Sequence, residues 1–112
     1  MGLSAGRLRQ RVTIMRGTQA DDRGGYVTTW SAVESDVPCE VIGLTGNEAV
    51  RERVLRGIRI YQVTMRWRAD LEPKDQLVYG VEDLNIRSAI DPDGRRERLV
   101  IIADTENAVP TR

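Results

Sequence analysis

Within residues 58–68, IRIYQVTMRWR, the run from Tyr61 alternates: Tyr61, Val63, Met65 and Trp67 fall on one side, Gln62, Thr64, Arg66 and Arg68 on the other. Successive side chains of an extended chain point to opposite faces, so a period of two describes a strand with one face buried and one wet. A lone strand of this kind is unstable, and its apolar stripe needs neighbours that carry stripes of their own. The rest of the chain supplies them. Residues 7–16, RLRQRVTIMR, set Leu8, Val12 and Ile14 against Arg7, Arg9, Arg11 and Thr13. YVTTW (26–30) is rich in β-formers. DVPCEVI (36–42) puts Val37, Cys39 and Val41 on one face, and Pro38, which cannot donate to a ladder, suggests an edge or a bulge. QLVYG (76–80), DLNIRSAI (83–90, with Leu84, Ile86 and Ile90 in strand spacing) and the apolar LVIIAD (99–104) complete the set.

Turn chemistry separates these runs. GTQADDRGG (17–25) holds no aliphatic side chain larger than Ala and reads as the turn of a hairpin, with its glycines supplying positive φ. Trp30 would then anchor the returning strand on the core. ADLEPKD (69–75) and DPDGRRE (91–97) are further turns. One segment breaks the pattern. In LTGNEAVRERVLRG (44–57), Thr45 and Glu48 have capping-box spacing, Ala49, Val50, Val54 and Leu55 have helical spacing, and Gly57 is a stop signal. This predicts a short helix over 46–56, with a mobile loop as the alternative. About seven short strands, turns roughly every 8–12 residues and at most one helix place the chain in the mainly β class, as a small antiparallel β-barrel or sandwich. The expected organisation is one domain over 1–112, with an excursion at 43–57 and a loose tail at 105–112.

The chain has no Phe, so Val, Ile and Leu must fill most of the core. Its 17 basic and 17 acidic residues cancel. That balance disfavours a freely acting nucleic-acid binder and suits a surface that meets other proteins. With no His and a single cysteine, Cys39, the chain cannot build a Cys/His zinc site, a His-dependent catalytic dyad or an internal disulfide; Cys39 reads as a small buried strand residue. No phosphate-binding glycine loop is present. The acid pairs Asp21/Asp22, Glu82/Asp83 and Asp91/Asp93 read as solvated turn acids, and the glycine of DPDG comes too early for a calcium loop. No catalytic, cofactor-binding or metal-ligating residue is assigned, and the chain is not expected to be an enzyme. No run is long enough to span a membrane, MGLSAGRLRQR has no apolar signal core, and Gly6 spoils the myristoylation pattern that Met1-Gly2 begins. Arg51, Arg53, Arg56, Arg59, Arg66 and Arg68 face only Glu52 in the same stretch. They read either as a solvated face or as contacts to phosphates or acidic partners.

Taken in order, GRLRQRVTIMR (6–16), the hairpin landmark Gly24, Gly25 and Trp30, LTGNE (44–48), VTMRWR (63–68), LVYG (77–80), the element from Ile86 to Asp91 and LVII (99–102) resemble the head–tail joining, or head-completion and stopper, proteins of long-tailed phages. The resemblance covers about residues 5–105. Pro38-Cys39-Glu40 and Leu84 depart from it locally. It implies a structural virion protein, made in the host cytoplasm, that forms a ring in the head–tail connector. The ring would touch the portal and adaptor proteins on its head side and a tail terminator or tail tube on the other. Packaged double-stranded DNA would pass through its lumen and be retained there. It also implies that the excursion, through Gly46, Asn47, Glu48, Arg51, Arg53 and Arg56, faces the channel or a partner. The competing readings are a single-stranded nucleic-acid binder on an OB-like or SH3-like barrel, with Tyr61 and Trp67 as stacking residues, and another neck component such as a tail terminator.

Overall fold

The protein is described here by a computed structural model covering residues 5–111, so Met1 and Gly2 lie outside the described residues. Six strands form: β1 (Gln10–Asp22), β2 (Gly25–Gly43), β3 (Ile60–Arg66), β4 (Gln76–Tyr79), β5 (Glu82–Ile90) and β6 (Arg98–Asp104). One helix, α1 (Glu48–Leu55), stands between β2 and β3. The strands close into an antiparallel barrel in the order β1-β2-β3-β6-β5-β4. The stripe that opened the sequence faces inward. Val63 and Met65 are fully buried with Ile14, Leu77, Leu84 and Ile101, while Tyr61 and Trp67 pack at the margin of this cluster. Each fully buried aliphatic side chain contributes about 1.5–3 kcal/mol. Cys39 lies among them with no exposure.

Six strands replace the seven expected because YVTTW and DVPCEVI belong to one 19-residue strand, β2. The intervening SAVES has no Gly or Pro to stop it. The expected turn over 17–25 also shrinks. Residues 17–22 continue β1, paired residue by residue with 25–30, and only Arg23 and Gly24 turn, at φ of 49° and 90°. Two consecutive positive φ values are what a two-residue hairpin requires, and a glycine in the second position removes the Cβ conflict.

The consequence is an arm. β4 pairs with β1 only at residues 13–15, and β3 joins β2 only from Cys39 onward. Residues 17–30 therefore run beyond the barrel's ladders as a two-stranded ribbon, tied at its base where the Arg16 guanidinium donates to the buried Asp75 and to the Asp70 carbonyl. Two register shifts, between Val12 and Ile14 and between Ile14 and Met15, mark where the ribbon leaves, and Asp36 at φ 55° sits in the first. Such bulges bend and twist a strand pair. Pro38 lies beside them, one residue before β3 joins. The radius of gyration, 15.0 Å, exceeds the roughly 13 Å of a compact chain of this length, and the longest dimension is 52 Å. Trp30 packs over Gly17 inside the arm, so the expectation that it anchors β2 on the core is corrected.

Two other expectations change. A bulge between Ile86 and Ser88 shifts the phase of β5. Ala89 then takes the side of Ile101, and Ile90 is left exposed instead of sharing the face of Leu84 and Ile86. The tail from 105 is not loose over its described part. The Gln76 amide donates to the Val109 carbonyl at 2.9 Å and accepts from its N–H at 3.1 Å, and the buried Thr111 hydroxyl donates to Asp83 at 2.6 Å.

Candidate functional site

The excursion between β2 and β3 starts and ends on paired backbone. Leu44 N–H donates to the Ile60 carbonyl, and Arg59 and Thr105 exchange bonds across its exit. Within it the helix is shorter than the expected 46–56, and its cap is not Thr45. Asn47 is the N-cap, its side-chain oxygen accepting from Val50 N–H at 2.9 Å. An amide oxygen at that position satisfies an amide the helix itself cannot. At the other end Gly57, at φ 85°, donates to the Val54 carbonyl while Ile58 N–H reaches the Arg53 carbonyl. This double bond pattern around a left-handed glycine is a Schellman stop.

No residue of α1 is buried. Among the described residues, the side chain that bonds the helix to the barrel is Arg53. Its guanidinium reaches Asp104 at the end of β6 and Glu106 just beyond. Asp104 has no solvent exposure. It also accepts from Arg87, which the β5 bulge turns toward it, and from the Glu106 N–H. Burial pushes the Asp104 carboxyl up, but the hydrogen bonds from Arg87 and Arg53 outweigh it and hold the group below the usual carboxylate range. The arginines are held further in their charged form by the same bonds.

The six arginines that stood together in sequence thus divide. Arg53 is anchored, Arg59 pairs with Glu82, and Arg68 pairs with Asp70 and Glu34. Arg51, Arg56 and Arg66 are exposed, and no acid pairs with them among the described residues. Of the other predicted site residues, Gly46, Asn47 and Glu48 are exposed at the start of the excursion. Gly24, Gly25 and Trp30 lie in the arm, away from α1, because the arm and α1 extend from opposite ends of β2. The sequence reading missed Asp104, Glu106 and Arg87; the only signal was an acid closing the apolar run LVIIAD.

Two of the three acid pairs, Glu82/Asp83 and Asp91/Asp93, have partners in the fold, while Asp21 is exposed as expected. Glu82 accepts from the Tyr61 hydroxyl, Asp83 holds Thr111, Asp91 caps the Arg96 N–H and Asp93 pairs with Arg98. The two aromatics expected to stack bases, Tyr61 and Trp67, are both engaged. The Tyr61 ring meets Tyr79 edge to face at 5.6 Å, and the Arg96 guanidinium lies 5.3 Å from the Trp67 ring centre.

A family model described as phage head completion protein matches residues 3–106. The chain belongs to that family. This head completion protein is therefore a structural virion component of the head–tail neck, in a family that is not one of enzymes. Its fold is shared with protein SF1141 from Shigella flexneri 2a, known from a solution structure: TM-score 0.69, 25% identity, covering 94% of this chain and 98% of that one. It is also shared with a chain from the virion of a native gene transfer agent particle: TM-score 0.61, 18% identity, covering 88% of this chain and 94% of that one. No curated protein matches the sequence.

Proposed function

We propose that the chain is a ring-forming stopper of the head–tail connector. Several copies join the portal and its adaptor on the head side to a tail terminator or tail tube on the other. Packaged double-stranded DNA runs through the lumen and is retained until ejection. The subunit is made in the host cytoplasm and needs no membrane, cofactor or metal for this work. Family membership over 3–106 supports the reading, as does the shared fold with a chain of a gene transfer agent virion.

The observation that carries the assignment of a surface is the division of the excursion's arginines. Arg51, on a helix with no buried residue, and Arg56, at its C-cap, have no acid partner among the described residues, while Arg53 bonds that helix to the barrel. In this reading, segment 46–56 faces the lumen or the adaptor. Arg51 and Arg56 meet phosphates or acidic side chains, and Arg53 serves as the anchor instead of a contact. Repeated around a ring, two free guanidiniums per copy make a cationic belt whose hold on DNA weakens with salt.

The test is electron microscopy of particles made without this gene. Separate tails beside tail-less heads, many emptied of DNA, are the expected result; complete tailed particles would refute the connector role. Within that experiment, an Arg51→Glu/Arg56→Glu chain is expected to leave heads leaking DNA or failing to dock tails. Fully infectious particles from that variant would remove these two residues from the mechanism.

A further inference from the structure

Only the base of the arm is held by its own chain, through Arg16 and Asp75; the tip has no contact with the barrel among the described residues. A two-stranded ribbon is marginal by itself in water, and this one carries apolar groups on exposed faces: Tyr26 is 79% exposed and Val27 46%. Directly paired residues share a face, so one side of the arm aligns Gly17 with Trp30, Gln19 with Thr28 and Asp21 with Tyr26. Its tip therefore presents a phenol beside an exposed carboxylate that no described residue pairs with.

At the base of the arm lies a surface of the opposite character. A groove of about 310 Å³ runs between the unpaired edge of β2 and the end of β3, lined by Glu34, Val37, Pro38, Arg66, Trp67 and Arg68. Its apolar floor is Val37, Pro38 and Trp67. Its charges are unequal, because Glu34 is already held by Arg68. Arg66 stands directly across from Arg98 in the β3–β6 ladder, and like charges so placed repel. Arg98 has Asp93 for relief, whereas Arg66 has no acid partner among the described residues. Arg96 adds its guanidinium over Trp67. The groove lacks one acid and has room for an apolar group.

We propose that the arm is a subunit-bridging element: its tip, Asp21 and Tyr26, docks in the Arg66–Trp67 groove of a second copy of this chain. The tip cannot reach its own groove, since residues 16–22 carry it roughly 20 Å from the base. That reach is comparable to the shortest dimension of the molecule, 24 Å, so it spans to an adjacent subunit. Tip and groove are different surfaces, which makes the contact heterologous, the kind that closes into a ring. The tip sets Asp21 and Asp22 against the single Arg23, and that net negative charge argues against DNA as its target. The proposal rests on the ring reading above and supplies its interface.

The test is sedimentation velocity of the purified chain up to millimolar concentration, with charge substitutions on each side. Self-association of the wild type is expected. Asp21→Arg or Arg66→Asp should each weaken it by at least tenfold, and Asp21→Arg/Arg66→Asp should restore it. Circular dichroism should be unchanged, because both sites lie outside the core. In a Tyr26→Cys/Arg66→Cys chain, a bifunctional maleimide should give a ladder of multimers. Association that ignores these substitutions overturns the arm contact while leaving the ring intact. A chain that stays monomeric without cross-links also overturns it, and the gene-deletion particles then judge the connector role separately.

Discussion

Removing the Arg53 side chain tests whether α1 depends on one ion-pair cluster. In Arg53→Ala, Glu106 loses a partner but is about one-third exposed and turns to water at little cost. Asp104 loses one charge-assisted bond and keeps those from Arg87 and the Glu106 amide. A hydrogen bond to a charged group contributes about 1.5–3 kcal/mol. The Arg53 side chain is 27% exposed, so the lower half of that range applies, about 2 kcal/mol. The loss should fall on the helix. Eight residues are well short of the roughly 12–15 an isolated helix needs, and α1 has no buried residue to compensate. Two kcal/mol raises the open population about 30-fold. Hydrogen exchange should therefore speed up by about that factor at amides 51–56, with those of β3 and β6 unchanged. Arg51→Ala and Arg56→Ala, at exposed unpaired positions, should stay within about 0.5 kcal/mol of wild type. Helix amides that exchange at the wild-type rate, or a loss spread evenly over the barrel, would refute the reasoning.

The same cluster sets a pH dependence. Asp104 titrates below its unfolded value of about 3.9, so the native state binds fewer protons there. Its contribution is complete above that value and is lost as pH falls through the native one; urea titrations between pH 7 and 2 should follow this slope, and Asp104→Asn should flatten it. Cys39 is fully buried, and burial pushes its thiol up to about 11. Iodoacetamide at pH 8 should leave it unmodified until the chain is unfolded, and stoichiometric labelling of the native protein would contradict its placement. At Gly17, an added Cβ would meet the Thr28 methyl at 2.9 Å and the Trp30 ring at 3.2 Å. Gly17→Leu should displace Trp30, cost about 1 kcal/mol in the arm and red-shift tryptophan emission; an unchanged spectrum would show that Trp30 does not pack there.

Much of the barrel was legible because its causes are local. The alternation of Tyr61, Val63, Met65 and Trp67 states which side of a strand is dry, whatever its neighbour. Gly24 and Gly57 announce a hairpin and a helix stop because both positions need positive φ, which glycine adopts without strain. The absence of His and the single Cys39 ruled out whole chemistries before any fold was known. Family membership, too, is written in the order of these short elements.

Tertiary structure decided what depends on partners far away in sequence. The arm exists because β4 is only four residues long and β3 stops pairing at Cys39, and neither limit is visible in residues 16–31 themselves. Period two does not register a bulge, so the re-aiming of Arg87 and the outward turn of Ile90 could not be read from their spacing. The division of the arginines into anchored and free follows from which acids the barrel brings near: Asp104 lies 51 residues from Arg53 and touches it, while Arg51 in the helix and Arg56 at its C-cap meet none among the described residues. The sequence determined where the extended segments run, most of their dry faces and the family. Barrel closure, by fixing where each strand's partner ends, decided which edges and which charges were left for other molecules.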